Sequence, residues 1–508
     1  MMETAPLSTS RPVALVLGLG ASGLAMARWL ARLGWRVRVA DTRVAPPQLA
    51  QLQADVPQAE FVSSSLHAQL LTDDVALLAS SPGLSPHEKM PGNTAAIRAA
   101  AQTRGIPVVG ELELFARALR ELDVLYAYRP KVLAITGTNG KTTVTSLTGK
   151  LLGAAGWCVE VAGNIGPCLL DRLRSCEAGH CLPDAWVLEL SSFQLHDALS
   201  FAPDAAVVLN ITQDHLDWHA DMAEYVADKC RIFGATSGKT TAIINRDPSE
   251  VDFVASIPNK RRISFGLGEP QGHLDFGVQA ATDMPWLVQC ISALGDTPPK
   301  KNQDPELSLR RLMPVESLHI RGRHNTSNAL AALALSVAVG APLGSSLRAL
   351  AAYQGEPHRV QTIGQAAGVT YIDDSKGTNV GATVAAISSL GADLNAGGKL
   401  LVILGGDGKG QDFAPLSAPL ANYAKGVALI GKDAPAIAAI LPEGLAVQRC
   451  ASMAEAVSWC AGQAQAGDAV LLSPACASLD MYRDYAHRAA DFVQAVQALP
   501  GATGEGQV

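Results

Sequence analysis

The strongest constraint on this chain is a change of hydrophobic period that recurs along its length: a short apolar strand, a glycine-bearing loop, then a helix. In "VALVLGLGASGLAMARWLARLG" the run Val13 to Leu17 reads as a strand. Gly18, Gly20 and Gly23 follow as G-x-G-x-x-G, and Leu24, Ala27, Leu30 and Leu33 then share one face of a helix that stops at Gly34. A second strand, "RVRVAD", ends in Asp41, 18 residues after Gly23. Such a unit binds dinucleotides: glycines bring the backbone close to a pyrophosphate at a helix N-terminus, and the acid meets a ribose. A tight turn without a ligand uses the same residues, so the motif alone leaves both readings open. Strand and helix alternate onward through "VALLASSPGLS" to "IPVVGELELF".

A second unit starts near Lys131. "KVLAIT" is a strand, and "KTTVTSLTGKLLGAAG" is a helix with Val144, Leu147 and Leu151 on one face. The loop between them lies in "AITGTNGKTT", where the usual phosphate loop would need glycine at position 135 and Ile135 stands instead. Backbone N–H groups of Gly137, Thr138, Asn139 and Gly140 can still cradle phosphates. Lys141 would reach the terminal ones, and Thr142, followed by Thr143, would offer a hydroxyl to Mg²⁺. A glycine turn beside a surface lysine is the competing reading. Strands continue in "DAWVLEL", "AAVVLNI" and "TAIIN". The stretch from Leu267 to Leu312 breaks the alternation, and "GDTPPKKNQDPE" within it reads as an exposed loop or insertion. A helix resumes at "HNTSNALAALALSVAVG". Beyond Pro357 the strands "VTYIDD", "LLVIL", "GVALI" and "AVLL" build another parallel sheet, with "DSKGTN", "GGDGKGQDF" and "SPACASLD" in loops at strand ends, where open α/β sheets hold ligands.

The predicted organisation is therefore an α/β chain of three domains: a Rossmann-like domain over 1–128, a central P-loop-type ATPase domain with a mainly parallel sheet over 129–356, carrying an insertion at about 267–312, and a Rossmann-like C-terminal domain over 357–508. Its 508 residues exceed what one core organises. With 48% hydrophobic and 17% charged residues, disorder is excluded. A net charge of −7 gives no reason to expect nucleic acid. The nine cysteines include no C-x-x-C pair, which argues against both a disulfide framework and a zinc site. No apolar run approaches the ~18 residues that span a bilayer, and no signal peptide is recognisable, so a cytosolic protein is expected; separately, it is expected to act as a monomer.

Three polar residues of the central segment suggest a cation site. Glu189 ends an otherwise apolar strand, where an unpaired carboxylate is costly to bury and a metal ion is a natural partner. His215 offers a neutral imidazole, although a histidine satisfied in the core reads almost as well. Lys229 lies 14 residues after His215 in the half-apolar "YVADKCRIF". Taken alone it reads as a solvated helix lysine. A desolvated lysine loses its proton readily, and the neutral amine adds CO₂ to become an anionic carbamate.

Together these residues resemble the Mur ligase family, the ATP-dependent amide-forming enzymes of peptidoglycan precursor synthesis. The family's loop is the short G-T-x-G-K-[ST], which Gly137 to Thr142 matches. The resemblance extends through "GLGASG", "DTR", "SPG", "VVGELELF", "LELSSFQL", "DHLDWH", "PHR", "DSKGTN", "GGDGKGQDF" and "SPACASLD". It favours the branch that adds D-glutamate to UDP-N-acetylmuramoyl-L-alanine; the D-N-P-R motif of the branch that adds the diamino acid is missing. The Leu267–Leu312 stretch matches no family motif.

By this resemblance the cofactors are ATP and Mg²⁺. Ser22, Asp41, Thr42, Arg43 and Gly83 would contact the uridine nucleotide, and Asn164 the UDP-sugar. Thr142 and Glu189 would bind one Mg²⁺; Glu189, His215 and carbamylated Lys229 would bind another. Asn328, Arg359 and Asp374 would join the Gly137–Thr143 loop around ATP. Lys376, Thr378, Lys409, Ser478 and Tyr485 would hold D-glutamate, with Tyr485 where phenylalanine is expected. Lys141, Glu189, His215 and Lys229 would be catalytic. The partners would be these small molecules, with neither nucleic acid nor membrane. Three other activities remain compatible with parts of the sequence: a folylpolyglutamate synthase of the same superfamily, a nicotinamide-dependent dehydrogenase and a non-catalytic nucleotide sensor.

Overall fold

The computed structural model describes residues 11–90, 92–234, 239–247, 261–280, 284–292, 306–394 and 397–504. The first sheet comprises β1 (Val13–Leu17), β2 (Arg36–Asp41), β3 (Glu60–Ser63), β4 (Val75–Ser80) and β5 (Val108–Val109). All its pairings are parallel, in the order β3-β2-β1-β4-β5. The order reverses beside β1, which opens a crevice at the carboxyl ends of β1 and β4.

The central sheet contains β6 (Lys131–Thr136), β7 (Val159–Gly163), β8 (Ala185–Glu189), β9 (Ala205–Val208), β10 (Thr241–Asn245) and β11 (Arg262–Phe265). It too is parallel, ordered β11-β10-β9-β6-β8-β7. The reversal point is β6, so the loops leaving β6, β8 and β9 meet in one place.

Part of the Leu267–Leu312 stretch is a sheet of its own. β12 (Phe276–Gln279), β13 (Trp286–Ser292) and β14 (Leu307–Pro314) form an antiparallel trio. Phe276, Leu287 and Met313 join a core with Ile243, Phe265 and the helix Arg323–Ala338. Antiparallel pairing with one apolar face explains the break in alternation seen in the sequence. The polar run 295–305 lies outside the described residues.

The third domain holds β15 (Gln361–Ala366), β16 (Val369–Asp373), β17 (Leu400–Gly405), β18 (Ala424–Ile430), β19 (Ala446–Arg449), β20 (Ala469–Leu472) and β21 (Thr503–Gly504), ordered β19-β18-β17-β20-β16-β15-β21. The pairings from β19 to β16 are parallel, and β15 and β21 add an antiparallel edge.

The helix faces expected from the sequence are largely those buried. Val144, Leu147 and Leu151 are inaccessible, as are Leu24, Ala27 and Leu30 within a few per cent. Leu33 differs: it is 47% exposed, because the first helix ends at Arg32 and Leu33 is its cap. One apolar cluster joins Val16, Leu24 and Leu30 of the first domain to Leu169, Trp186 and Leu188 of the second. The third domain keeps separate cores. The first two domains therefore form one packed body. No described helix is long and apolar enough to cross a membrane.

Candidate active site

The loop after β6 leads into the helix Lys141–Ala154 through Gly140, whose φ is +84°. A Cβ there would sit 2.5 Å from Asn328 Oδ1, so glycine is required both by conformation and by space. The end of β9 and the helix Met222–Cys230 hold the loop in shape. Asn139 N–H donates to Asn210 Oδ1 at 2.8 Å, and Thr138 Oγ1 lies 3.0 Å from the Tyr225 hydroxyl. Lys141 Nζ folds back to donate to the carbonyls of Gly137 (2.9 Å) and Thr138 (2.7 Å). Burial lowers its pKa, while Glu189 and Asp214 oppose that shift.

Glu189, 2% exposed at the end of β8, accepts from Asn164 Nδ2 at 2.8 Å through Oε1. Among the described residues its Oε2 is buried without a hydrogen-bond partner. An orphaned carboxylate oxygen is expensive unless a cation meets it. His215 has φ +56°, with its ring 4.7 Å from Phe193 and Nε2 3.5 Å from Asp214 Oδ2. Burial brings its pKa down to about 4, and Lys141 and Lys229 push the same way against Asp214. The imidazole is therefore neutral at pH 7, as a metal ligand must be.

Lys229 is not the solvated lysine that its sequence position alone suggests. It is 2% exposed, and Nζ donates to Gly137 O at 3.0 Å, with Thr136 Oγ1 at 3.5 Å and the Tyr225 ring centroid at 4.6 Å. Burial, reinforced by the nearby charge of Lys141, holds its pKa well below the ordinary lysine value. A neutral amine beneath the glycine loop is the form that reacts with CO₂.

The loop opens into a cleft of 630 Å³ shared with the third domain. Arg359 Nη2 donates to Thr142 Oγ1 at 2.7 Å, Lys376 Nζ lies 3.5 Å from the same oxygen, and Asn379 Nδ2 donates to Asn139 Oδ1 at 3.0 Å. The third domain thus stands closed against the loop. Asp374, 6% exposed, accepts from Ser473 Oγ at 2.7 Å; burial raises its pKa to about 7. Thr378, Lys409, Asn164, Asn328 and Tyr485 also line the cleft, and Lys376 Nζ lies 5.2 Å from the Tyr485 ring centroid. Ser478 does not line it: the residue is buried, and of the pair only its sequence neighbour Ala477 reaches the cleft.

A second pocket of 400 Å³ sits in the crevice of the first sheet, lined by Ser22, Asp41, Thr42, Arg43 and Gly83 among others. Gly23 packs so closely on Gly18 that a Cβ would lie 1.9 Å from the Gly18 carbonyl oxygen. Asp41 engages both its oxygens within the protein: Oδ2 accepts from Leu19 N–H (2.7 Å) and Arg43 Nη2 (2.8 Å), and Oδ1 from Arg43 N–H and Nε. Chiefly through Arg43, its pKa is held at about 2. It organises the glycine loop and presents Arg43.

Sequence reasoning overlooked several cleft residues. Asn210 and Asp214 lie inside quoted motifs but were given no role. Asn379 closes "DSKGTN" and bridges the two domains. His324 lines the cleft, with a pKa lowered to about 4 by burial and an Nδ1 that has no partner among the described residues. Nothing distinguishes it in the sequence from an ordinary helix start.

Two parallel α/β sheets are followed by a third, mostly parallel one that meets the second at a glycine loop, and comparison with known proteins identifies the class. The MurD-like N-terminal domain of Mur ligases matches residues 13–110, the Mur ligase middle domain residues 135–336, and the Mur ligase glutamate ligase domain residues 358–476. The chain belongs to the Mur ligase family. It is 53% identical to the UDP-N-acetylmuramoylalanine--D-glutamate ligase of Albidiferax ferrireducens, covering 96% of this chain and 97% of that one. It is 52% identical, at the same coverage, to the protein of that name from Burkholderia cenocepacia. The crystal structure of MurF from Acinetobacter baumannii shares the fold, with a TM-score of 0.57 at 18% identity over 96% of this chain and 92% of that one.

Proposed function

We propose that the chain is an ATP-dependent ligase that joins D-glutamate to UDP-N-acetylmuramoyl-L-alanine, releasing ADP and phosphate, in peptidoglycan precursor synthesis. The observation that carries this is the closed cleft, where Lys141, Arg359 and Lys376 converge on the glycine loop. The identity to ligases of that name over nearly the whole chain supports the choice of substrates.

In this reading ATP lies along Gly137 to Thr143, with Asn328, Arg359 and Asp374 around it. The substrate carboxylate attacks the γ-phosphorus, and Lys141 neutralises charge that spreads over the transferring group. An acyl phosphate and ADP result. The free amine of D-glutamate, held by Lys376, Thr378, Lys409 and Tyr485, then attacks the acyl carbon, and the tetrahedral intermediate expels phosphate while one N–H proton leaves with the departing phosphate. Ser478, buried next to Ala477 of the cleft lining, is assigned to D-glutamate by family resemblance alone. Closure of the third domain excludes water, which would otherwise hydrolyse the acyl phosphate.

The residues present fit Mg²⁺: the orphaned Glu189 oxygen, the Thr142 hydroxyl and neutral His215 are hard or borderline donors, and Lys229 is poised to become a carbamate. Bound there, Mg²⁺ would supply further charge neutralisation at the phosphates. Ser22, Asp41, Thr42, Arg43 and Gly83 are assigned to the uridine nucleotide and Asn164 to the sugar-peptide. The enzyme is read as a cytoplasmic monomer using small-molecule substrates. The test is phosphate release with UDP-N-acetylmuramoyl-L-alanine and each D-amino acid in turn. Turnover with D-glutamate is expected; turnover only with another acceptor overturns the assignment.

A further inference from the structure

Glu111 belongs to the "VVGELELF" motif, to which the mechanism above gives no task. It opens the helix Glu111–Tyr126 and is 2% exposed. Its Oε2 accepts the Ser22 hydroxyl at 2.6 Å, and its Oε1 accepts the Leu170 N–H at 3.1 Å. Ser22 lines the first-domain pocket, whereas Leu170 is in the first turn of the helix Leu169–Ala178 of the central domain. A buried carboxyl group thus spans the seam between the nucleotide pocket and the catalytic body.

Among the described residues, the charged side chains around it are paired with one another or add repulsion. Arg28, on the Ser22 helix, is paired with Asp55 and, at 2.9 Å, with Asp171. Asp171 itself adds repulsion. Cys168 Sγ lies 4.0 Å from Ser22 Oγ, and its thiol, pushed up to about 12 mainly by burial, stays neutral. On Glu111's own helix, Glu113 is engaged by Ser200 and Arg117. Burial raises the Glu111 pKa to about 6, against the pull of the Ser22 hydroxyl and of the Leu170 and Leu169 N–H groups.

The hydrogen-bond inventory then links this acid to the ligand. An ionised carboxylate only accepts, so it draws the Ser22 proton inward and leaves oxygen lone pairs facing the pocket. A protonated carboxyl group can instead donate to Ser22 Oγ, freeing the serine hydrogen for an anionic oxygen in the pocket. We propose that Glu111 is a positioning residue that takes up a proton when the diphosphate of the UDP-linked substrate binds, turning Ser22 into a donor to that anion. This rests on reading the first-domain pocket as the UDP site.

The experiment is calorimetric titration of the full chain with UDP-N-acetylmuramoyl-L-alanine in buffers of different ionisation enthalpy, at pH values from about 6 to 8. The ligand's diphosphate diester and carboxylate stay ionised over that range, so it contributes no proton itself. Proton coupling makes affinity fall with rising pH, by at most tenfold per unit per proton. The wild type is expected to take up most of one proton near pH 7.5 and to bind about fivefold or more weakly at pH 8 than at pH 6. Glu111→Gln, whose amide donates permanently to Ser22, should bind with little pH dependence and without that uptake. Ser22→Ala should bind more weakly and also without uptake, and it carries the test alone if Glu111→Gln fails to fold. Wild-type binding without proton uptake, or uptake undiminished in Glu111→Gln, overturns the proposal alone. Failure of the wild type to bind the UDP-sugar overturns the reading of the pocket, and the proposal with it.

Discussion

Replacing Glu189 with glutamine should separate stability from activity. The side chain keeps its shape, and its carbonyl oxygen can retain the Asn164 contact that now spans 2.8 Å. What changes is the second oxygen, buried and unpartnered, which becomes a neutral amide nitrogen. An unsatisfied buried polar group costs about 1–3 kcal/mol, and more when charged. Without divalent ions, Glu189→Gln is therefore expected to match or exceed the wild type in stability, by about 1 kcal/mol. A ligand that binds only the folded state adds RT ln(1 + [L]/Kd), about 2.7 kcal/mol at a hundredfold excess over Kd. Millimolar Mg²⁺ with a nucleotide should raise the Tm of the wild type and raise that of the variant much less. Removing one preorganised charge-stabilising group from an enclosed site costs about 10²–10³-fold in rate, and phosphate release should fall by that much. The assays are thermal unfolding with and without Mg²⁺, and phosphate release. A variant within tenfold of wild-type activity, or one that Mg²⁺ stabilises as strongly as the wild type, would refute the reasoning.

Other consequences can be measured separately. Lys229→Ala should be nearly inactive and partly restored by acetate, which can occupy the position of a carbamate; full activity in the alanine variant, or no added mass on the native lysine, would count against carbamylation. Lys409→Ala should raise the KM for D-glutamate by an amount equivalent to about 2–3 kcal/mol, with little change for ATP, because a charge-assisted hydrogen bond to the distal carboxylate is lost; a KM effect on ATP alone would relocate the amino-acid pocket. Burial pushes the Asp374 pKa up to about 7 in the folded protein, from an ordinary aspartate value of 3.8. The folded state thus holds the extra proton between those values, and stability from this group is lost as pH rises through that window. Asp374→Asn should flatten the decline, as followed by denaturant midpoints across the pH range; an unchanged slope would show that Asp374 is not its source.

The amino-acid sequence determined most of the parallel framework on its own, because strands such as Val13–Leu17, Lys131–Thr136 and Leu400–Gly405 are short apolar runs bounded by glycine, and their helices repeat at the helical period. The glycine loop proposed to hold phosphates was legible as a motif because its glycines, lysine and threonine fall within six consecutive residues, Gly137 to Thr142. Antiparallel pairing within Leu267–Leu312 was not, since it depends on which strands meet. Nor was the burial of Lys229, because a lysine in a half-apolar helix looks the same whether solvent or Tyr225 lies over it. Only tertiary structure brought Arg359 to Thr142, 217 residues apart, and Ser22 to Glu111, 89 apart. Local pattern reports how a segment sits against an apolar neighbour. Electrostatic environment is set by groups distant in sequence, and it becomes definite only when packing removes the water between them.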